Sequence, residues 1–232
     1  MKIKLENELE NEFKIGAIVT LKSHPLFDNN FKKIAEFPAQ VPPLMIVKEV
    51  FFERRENKKV FSTEFKSAQV SDLIKYNCVY FSANKSEFCE KIVYESFLRT
   101  YKDLKYYKIK DKDGNEIKIP KKNQLVPEVL NYNLILDYNF GEVIQFKTKK
   151  LEHRKSYDNG FEKLPGISFQ TPDFVVSGLK KEIQEDLFYN DGQKKKIVPN
   201  KLLKVTWFNH FQNKMSDKFL PFCFFVKDLK IN

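Results

Sequence analysis

Apolar and polar residues alternate through Val19-Thr20-Leu21-Lys22, which puts Val19 and Leu21 on one face and Thr20 and Lys22 on the other. That period of two predicts a half-buried strand. The parity returns in Ile144-Gln145-Phe146-Lys147. A glycine stands shortly before each strand, Gly16 and Gly141, where a bend or a close backbone approach suits it. Two apolar triplets, Met45-Ile46-Val47 and Phe174-Val175-Val176, follow Pro43 and Pro172 and predict strands covered on both faces. A third strand pair is predicted at Asn77-Cys78-Val79-Tyr80-Phe81 and Lys204-Val205-Thr206-Trp207-Phe208. After a short polar turn, Glu90-Lys91-Ile92-Val93 and Asp217-Lys218-Phe219-Leu220 complete the series.

Each element is thus written twice, in the same order and at nearly constant spacing. The offsets are 127 (205 − 78), 125 (141 − 16) and 129 (172 − 43) residues, the pattern of a tandem duplication. The expected organisation is a charged leader at 1–12, a first unit at 13–98, a linker at 99–139 and a second unit at 140–232. Residues 24–42 and 149–171 read as long loops after the first strand of each unit, and Glu53–Lys59 and Lys180–Lys196 as charged hairpin extensions or loops. In the linker, Tyr106–Lys110 and Glu116–Ile119 flank Asp113-Gly114-Asn115, a hairpin signal.

The motifs Gly16…Val19-Thr20-Leu21-Lys22-Ser23, Pro43-Leu44-Met45-Ile46-Val47 and Cys78-Val79-Tyr80-Phe81 resemble those of the small YodC-like proteins. That pattern is a glycine, V-x-L-K-S, P-x-M-x-V and C-x-W-F. The second unit keeps Gly141, Pro172 and Trp207-Phe208. The resemblance implies an all-β fold of two tandem SH3-like small barrels joined by the hairpin-containing linker. It implies no activity, because the fold alone does not carry one.

Composition agrees with a β-rich globular chain: 232 residues, 42% hydrophobic, with 23 phenylalanines and ten tyrosines against seven glycines. Cys78, Cys89 and Cys223 lack the spacing of a disulfide framework or a zinc site, and free thiols suit a reducing cytoplasm. The first residues lack the apolar stretch of a signal peptide, and the longest apolar run, Phe219–Val226, is too short to cross a membrane. The net charge of +10 is uneven: +1 over 1–98, +3 over 99–139 and +6 over 140–232.

No nucleotide-binding or zinc-finger motif is present, and His24, His153 and His210 fall at unequal places in the two copies. The chain is therefore expected not to be an enzyme, and no catalytic residue, metal ligand or cofactor is assigned. A small enzyme would need His24 or His210 beside a carboxylate in a pocket. Cys78 reads as a small core residue. Tyr80 and Trp207 can either fill the core or line a groove. If they line a groove, the second unit combines rings with basic residues, as single-stranded nucleic acid requires. The candidate nucleic-acid-binding residues are Lys147, Lys149, Lys150, Arg154, Lys155, Lys194, Lys195, Lys196, Trp207 and His210. The expected function is a binding module for nucleic acid or another polyanion. The alternative is a protein-interaction adaptor, with an acidic protein partner, working through the long loops and the first unit.

Overall fold

A computed structural model describes residues 10–28, 30–54, 72–104, 106–120, 137–149, 151, 155–158, 163–166 and 171–227. The chain is all-β. The first unit contains β1 (Ile18–Leu21), β2 (Met45–Phe52), β3 (Ile74–Ser82), β4 (Glu87–Tyr94) and β5 (Leu98–Thr100), antiparallel in the order β4-β3-β2-β1-β5. The hairpin β6 (Tyr106–Lys110) and β7 (Glu116–Pro120) turns through Asp113-Gly114-Asn115, with Gly114 at φ +83. The second unit contains β8 (Val143–Phe146), the small hairpin β9 (Lys155–Asp158) and β10 (Lys163–Gly166), β11 (Asp173–Lys181), β12 (Lys196–Ile197), β13 (Lys201–Asn209), β14 (Lys214–Pro221) and β15 (Phe225–Lys227). Its main sheet has the order β14-β13-β11-β8-β15, which is the first order repeated strand for strand.

The repetition reaches the irregularities. β2 bulges between Val47 and Glu49, and β11 between Val176 and Gly178. Gly16 and Gly141 both have positive φ, and each donates its N–H to the bulge carbonyl, Val47 or Val176, at 2.8 Å. Ser86 and Asn213 take positive φ in equivalent turns. Each unit turns once through a 3-10 helix, Glu95–Phe97 or Phe222–Phe224, before its last strand. The described parts of the stretches read as long loops contain regular elements. Residues 24–42 hold the short helix α1 (Phe31–Glu36) between two 3-10 turns, and 149–171 hold the β9-β10 hairpin. Leu26, Ile34 and Leu44 bury themselves there with Tyr101, Leu104 and Leu151, which explains the helix in a stretch without strand periodicity.

Neither main sheet closes into a barrel among the described residues. The reason lies in how the apolar faces are covered. In each sheet one face, here called inner, carries equivalent residues: Val19, Val47, Tyr76 and Cys78 in the first, Ile144, Val176, Leu203 and Val205 in the second. The first inner face is covered by its own chain, with the Phe13 ring 5.3 Å from that of Tyr76. The second inner face is covered by the outer face of the first sheet, through Ile46, Val79, Phe81 and Phe88. The contact is head to tail, using different faces of the two units. Phe88 stands edge-on to Trp207 at 5.3 Å and Phe81 edge-on to Phe174 at 5.8 Å, arrangements that aromatic rings prefer. The two units thus share one core cluster, beside a second cluster that belongs to the first unit.

Polar contacts fix the register of this docking. The Trp207 Nε1–H donates to the Ser86 carbonyl at 2.8 Å, and Asn209 Nδ2 to that of Lys85 at 3.2 Å. The segment 182–200 reaches back as a strap. Within it β12 pairs with Val50 and Phe51 of β2, Tyr189 donates its hydroxyl to the Phe52 carbonyl, and Asp191 pairs with Arg54 at 2.5 Å.

Glu90 sits across the junction, bonded to Lys218 of the second unit at 2.8 Å, to Lys48 at 3.0 Å and to Asn77 at 3.0 Å. Burial pushes its carboxyl up, but the hydrogen bonds from Lys218, Lys48 and Asn77 outweigh this and lower its pKa from 4.5 to about 2. A depressed carboxylate adds stability above its unfolded pKa and loses it as pH falls through the folded one. Its contribution is thus complete above about pH 4.5 and disappears towards pH 2. After allowance for the part of the side chain still in water it is on the order of 2 kcal/mol. Glu90→Gln should flatten the acid limb of stability measured by urea titration from pH 6 to 2. An unchanged limb would mean that Glu90 does not tie the units together.

Candidate functional site: an apolar cleft with a basic rim

Three segments remote in sequence line an open cleft of about 700 Å³. Ile15 comes from the approach to β1, Leu187, Phe188 and Val198 from the strap, and Pro221 and Phe222 from the end of β14 and the 3-10 turn after it. Each segment is local in origin. A proline ends β14 and lets the chain turn into its 3-10 helix, while Asp186 and Gly192, both at positive φ, bend the strap. The backbone N–H groups of Tyr189 and Lys195 bond to the carbonyls of Gln193 and Leu187 and hold the strap's own hairpin.

The charged residues of the lining are Lys194, Lys196 and Lys201, with Gln184 and Asn200 as the neutral polar members and no carboxylate among them. Gln184 is held by its amide, which donates to the Pro199 carbonyl at 3.1 Å. Lys195 points elsewhere, to Asp186 at 2.5 Å. That hydrogen bond keeps the Asp186 carboxyl below its usual range, with the charge of Lys196 adding to it. Cys223 also lines the cleft, and burial pushes its thiol up against the opposing pull of Lys147. Lys147 is buried behind it, and desolvation holds its ammonium below the usual lysine range. Cys223 crowds Gly16, where an added Cβ would meet its Sγ at 2.9 Å, with Lys147 Nζ in ordinary contact at 3.9 Å. The arrangement can hold an apolar group against the walls while lysines of the same lining present positive charge.

The candidate residues read from sequence scatter. Lys194 and Lys196 line the cleft. Lys149 is paired with Asp173 at 2.5 Å, and Lys147 is in the interior. Lys150 and Arg154 lie outside the described residues, and Lys155 is placed only by its backbone in β9. Trp207 is buried between the two units and cannot serve as a stacking platform, because its N–H finds the Ser86 carbonyl within the core. Tyr80 is half-buried against the first unit's core, and Cys78 is wholly buried, with burial pushing its thiol up to about 12. His210 is exposed at the end of β13, its ring 4.1 Å from that of Phe211. His24 is buried in a turn, and its Nδ1 accepts the Leu26 N–H.

Sequence reading missed Lys201 and the apolar walls. Their signal was Leu187-Phe188 and Ile197-Val198-Pro199 set into a stretch otherwise rich in charge. Fold and cleft together define an all-β protein with a concave, basic-rimmed apolar site. Comparison with family models, curated proteins and solved structures finds no match. Among the described residues no helix is long and apolar enough to cross a membrane.

Proposed function

We propose that the protein is a non-enzymatic interaction module built from two YodC-like units, and that its cleft holds an acidic, apolar-sided segment of a protein partner. The observation that carries this reading is the lining itself: apolar walls with Lys196 and Lys201 beside them and no carboxylate among the lining residues. Apolar side chains of the partner would fill the walls, and its Asp or Glu residues would meet the rim. Three cysteines that form no disulfide fit a cytoplasmic setting. The nucleic-acid reading keeps the chain's positive charge but loses its aromatic platform, since Trp207 is buried and Lys149 and Lys195 already face carboxylates.

A fluorescent model peptide alternating Glu with Leu and Phe tests the proposal against a short oligothymidylate. The peptide should bind, and Lys196→Glu combined with Lys201→Glu should weaken it about tenfold or more, which is about 1.4 kcal/mol. Phe188→Ala should weaken it as well. Oligonucleotide binding that exceeds peptide binding and falls steeply with salt, as counterion release demands, would replace this reading with the nucleic-acid one.

A further inference from the structure

The duplication exposes a mismatch between the two outer faces. In the first sheet Ile18 pairs with Ile46 and Ile46 with Val79, next to the Phe81–Phe88 pair. In the second, Val143 pairs with Val175 and Val175 with Thr206, next to the Phe208–Met215 pair. The positions correspond one to one, and the second set is also apolar except for Thr206. Yet Phe81 and Phe88 are 4% and 7% exposed, while Phe208 and Met215 are 52% and 64% exposed. Val143 and Val175 are exposed as well, and Phe211 lies at the adjoining turn. One copy of this face is covered by a sheet and, among the described residues, the other is not. A contiguous apolar patch of this kind marks an interaction surface.

The charge around the patch narrows the occupant. Lys204 is matched by Asp217 at 3.4 Å, Lys149 by Asp173 at 2.5 Å, and Lys180 lies over the Phe219 ring. A polyanion would find these lysines already engaged. Two copies of a chain with net charge +10 repel each other, so they can meet only where charge is locally balanced. This face meets that condition. The counterpart face in the first unit shows that its geometry packs against another sheet. Both inner faces of the chain are already occupied, one by Phe13 and its neighbours and the other by the first unit. Among the described residues, the apolar sheet face that a second copy can offer is therefore this same one.

We infer that the outer face of the second sheet, centred on Phe208 and Met215, is a two-fold self-association surface that pairs the chain with a second copy of itself. Such a contact is isologous, with each residue meeting the same patch on its partner. It stacks two sheets face to face and leaves the cleft free.

Sedimentation velocity of the full chain across micromolar concentrations tests this without reference to any ligand. The wild type should populate a dimer. Phe208→Glu with Met215→Glu should raise the dissociation constant at least about tenfold, since central aromatic anchors dominate such contacts. Their circular dichroism should be unchanged because both side chains already stand in water. Met215→Arg alone provides a milder variant that should weaken the dimer in the same direction. Phe140→Glu, which alters an exposed apolar residue before β8, should leave the dimer intact. A wild type that stays monomeric throughout overturns the inference, as does a dimer indifferent to both Phe208→Glu/Met215→Glu and Met215→Arg. Peptide binding to the cleft would survive either outcome, so the two proposals fail separately.

Discussion

Trp207→Ala is expected to lower folding stability by about 3–5 kcal/mol, the range for removing a large ring from a packed core. The ring contributes in two ways. It stands edge-on to Phe81, Phe88 and Phe174, two from the first unit and one from the second, so its removal opens a cavity at their junction. Its Nε1–H also satisfies the Ser86 carbonyl, which would be left buried without that donor. Trp207→Phe separates these contributions by keeping most of the ring and losing the donor. It should cost about 1–3 kcal/mol, the cost of an unsatisfied buried group. Urea titrations followed by circular dichroism give both values. If Trp207→Ala leaves the urea midpoint unchanged, the ring does not hold the units together.

Ile144→Asp should have the larger effect still and unfold the chain at room temperature. Ile144 is wholly buried near the middle of β8, facing the shared core. A carboxylate placed there has no partner and costs several kcal/mol even after it takes up a proton. Typical domains have only about 5–15 kcal/mol in total. Because Ile46, Val79, Phe81 and Phe88 of the first unit complete the same core, the damage should not stop at the second unit. In the wild type, Trp207 fluorescence and far-ultraviolet circular dichroism should report one coincident transition. An Ile144→Asp protein that keeps half the β signal and melts cooperatively would show that the first unit folds alone.

Much of this architecture follows from local pattern. The alternation around Val19 and Ile144 places both strands, and both residues are fully buried, but the expected half-burial does not hold, because Thr20, Gln145 and Lys147 on the polar faces are buried too. The three spaced repeats anticipate two sheets of equal strand order, and Asp113-Gly114 marks its hairpin. Such features are legible because a strand's period and a turn's φ requirement act within a few residues. The triplets mark where local pattern stops being enough. Met45-Ile46-Val47 is buried throughout, as expected of a doubly covered strand, but Phe174-Val175-Val176 leaves Val175 exposed. The two triplets are alike as sequence. An apolar face states that burial would be favourable and does not state what covers it. Only tertiary structure decided that the first unit's outer face closes over the second unit's inner face, with neither sheet closed as a barrel among the described residues. The same holds for Trp207, a residue equally suited to a groove or a core until Ser86 arrives from 121 positions away to accept its N–H. It also holds for the cleft, whose walls come from segments around 15, 187–201 and 221–223. Contacts so distant in the chain leave no periodic trace in it, because each segment's local pattern satisfies its own strand or turn and carries no record of its neighbour in space.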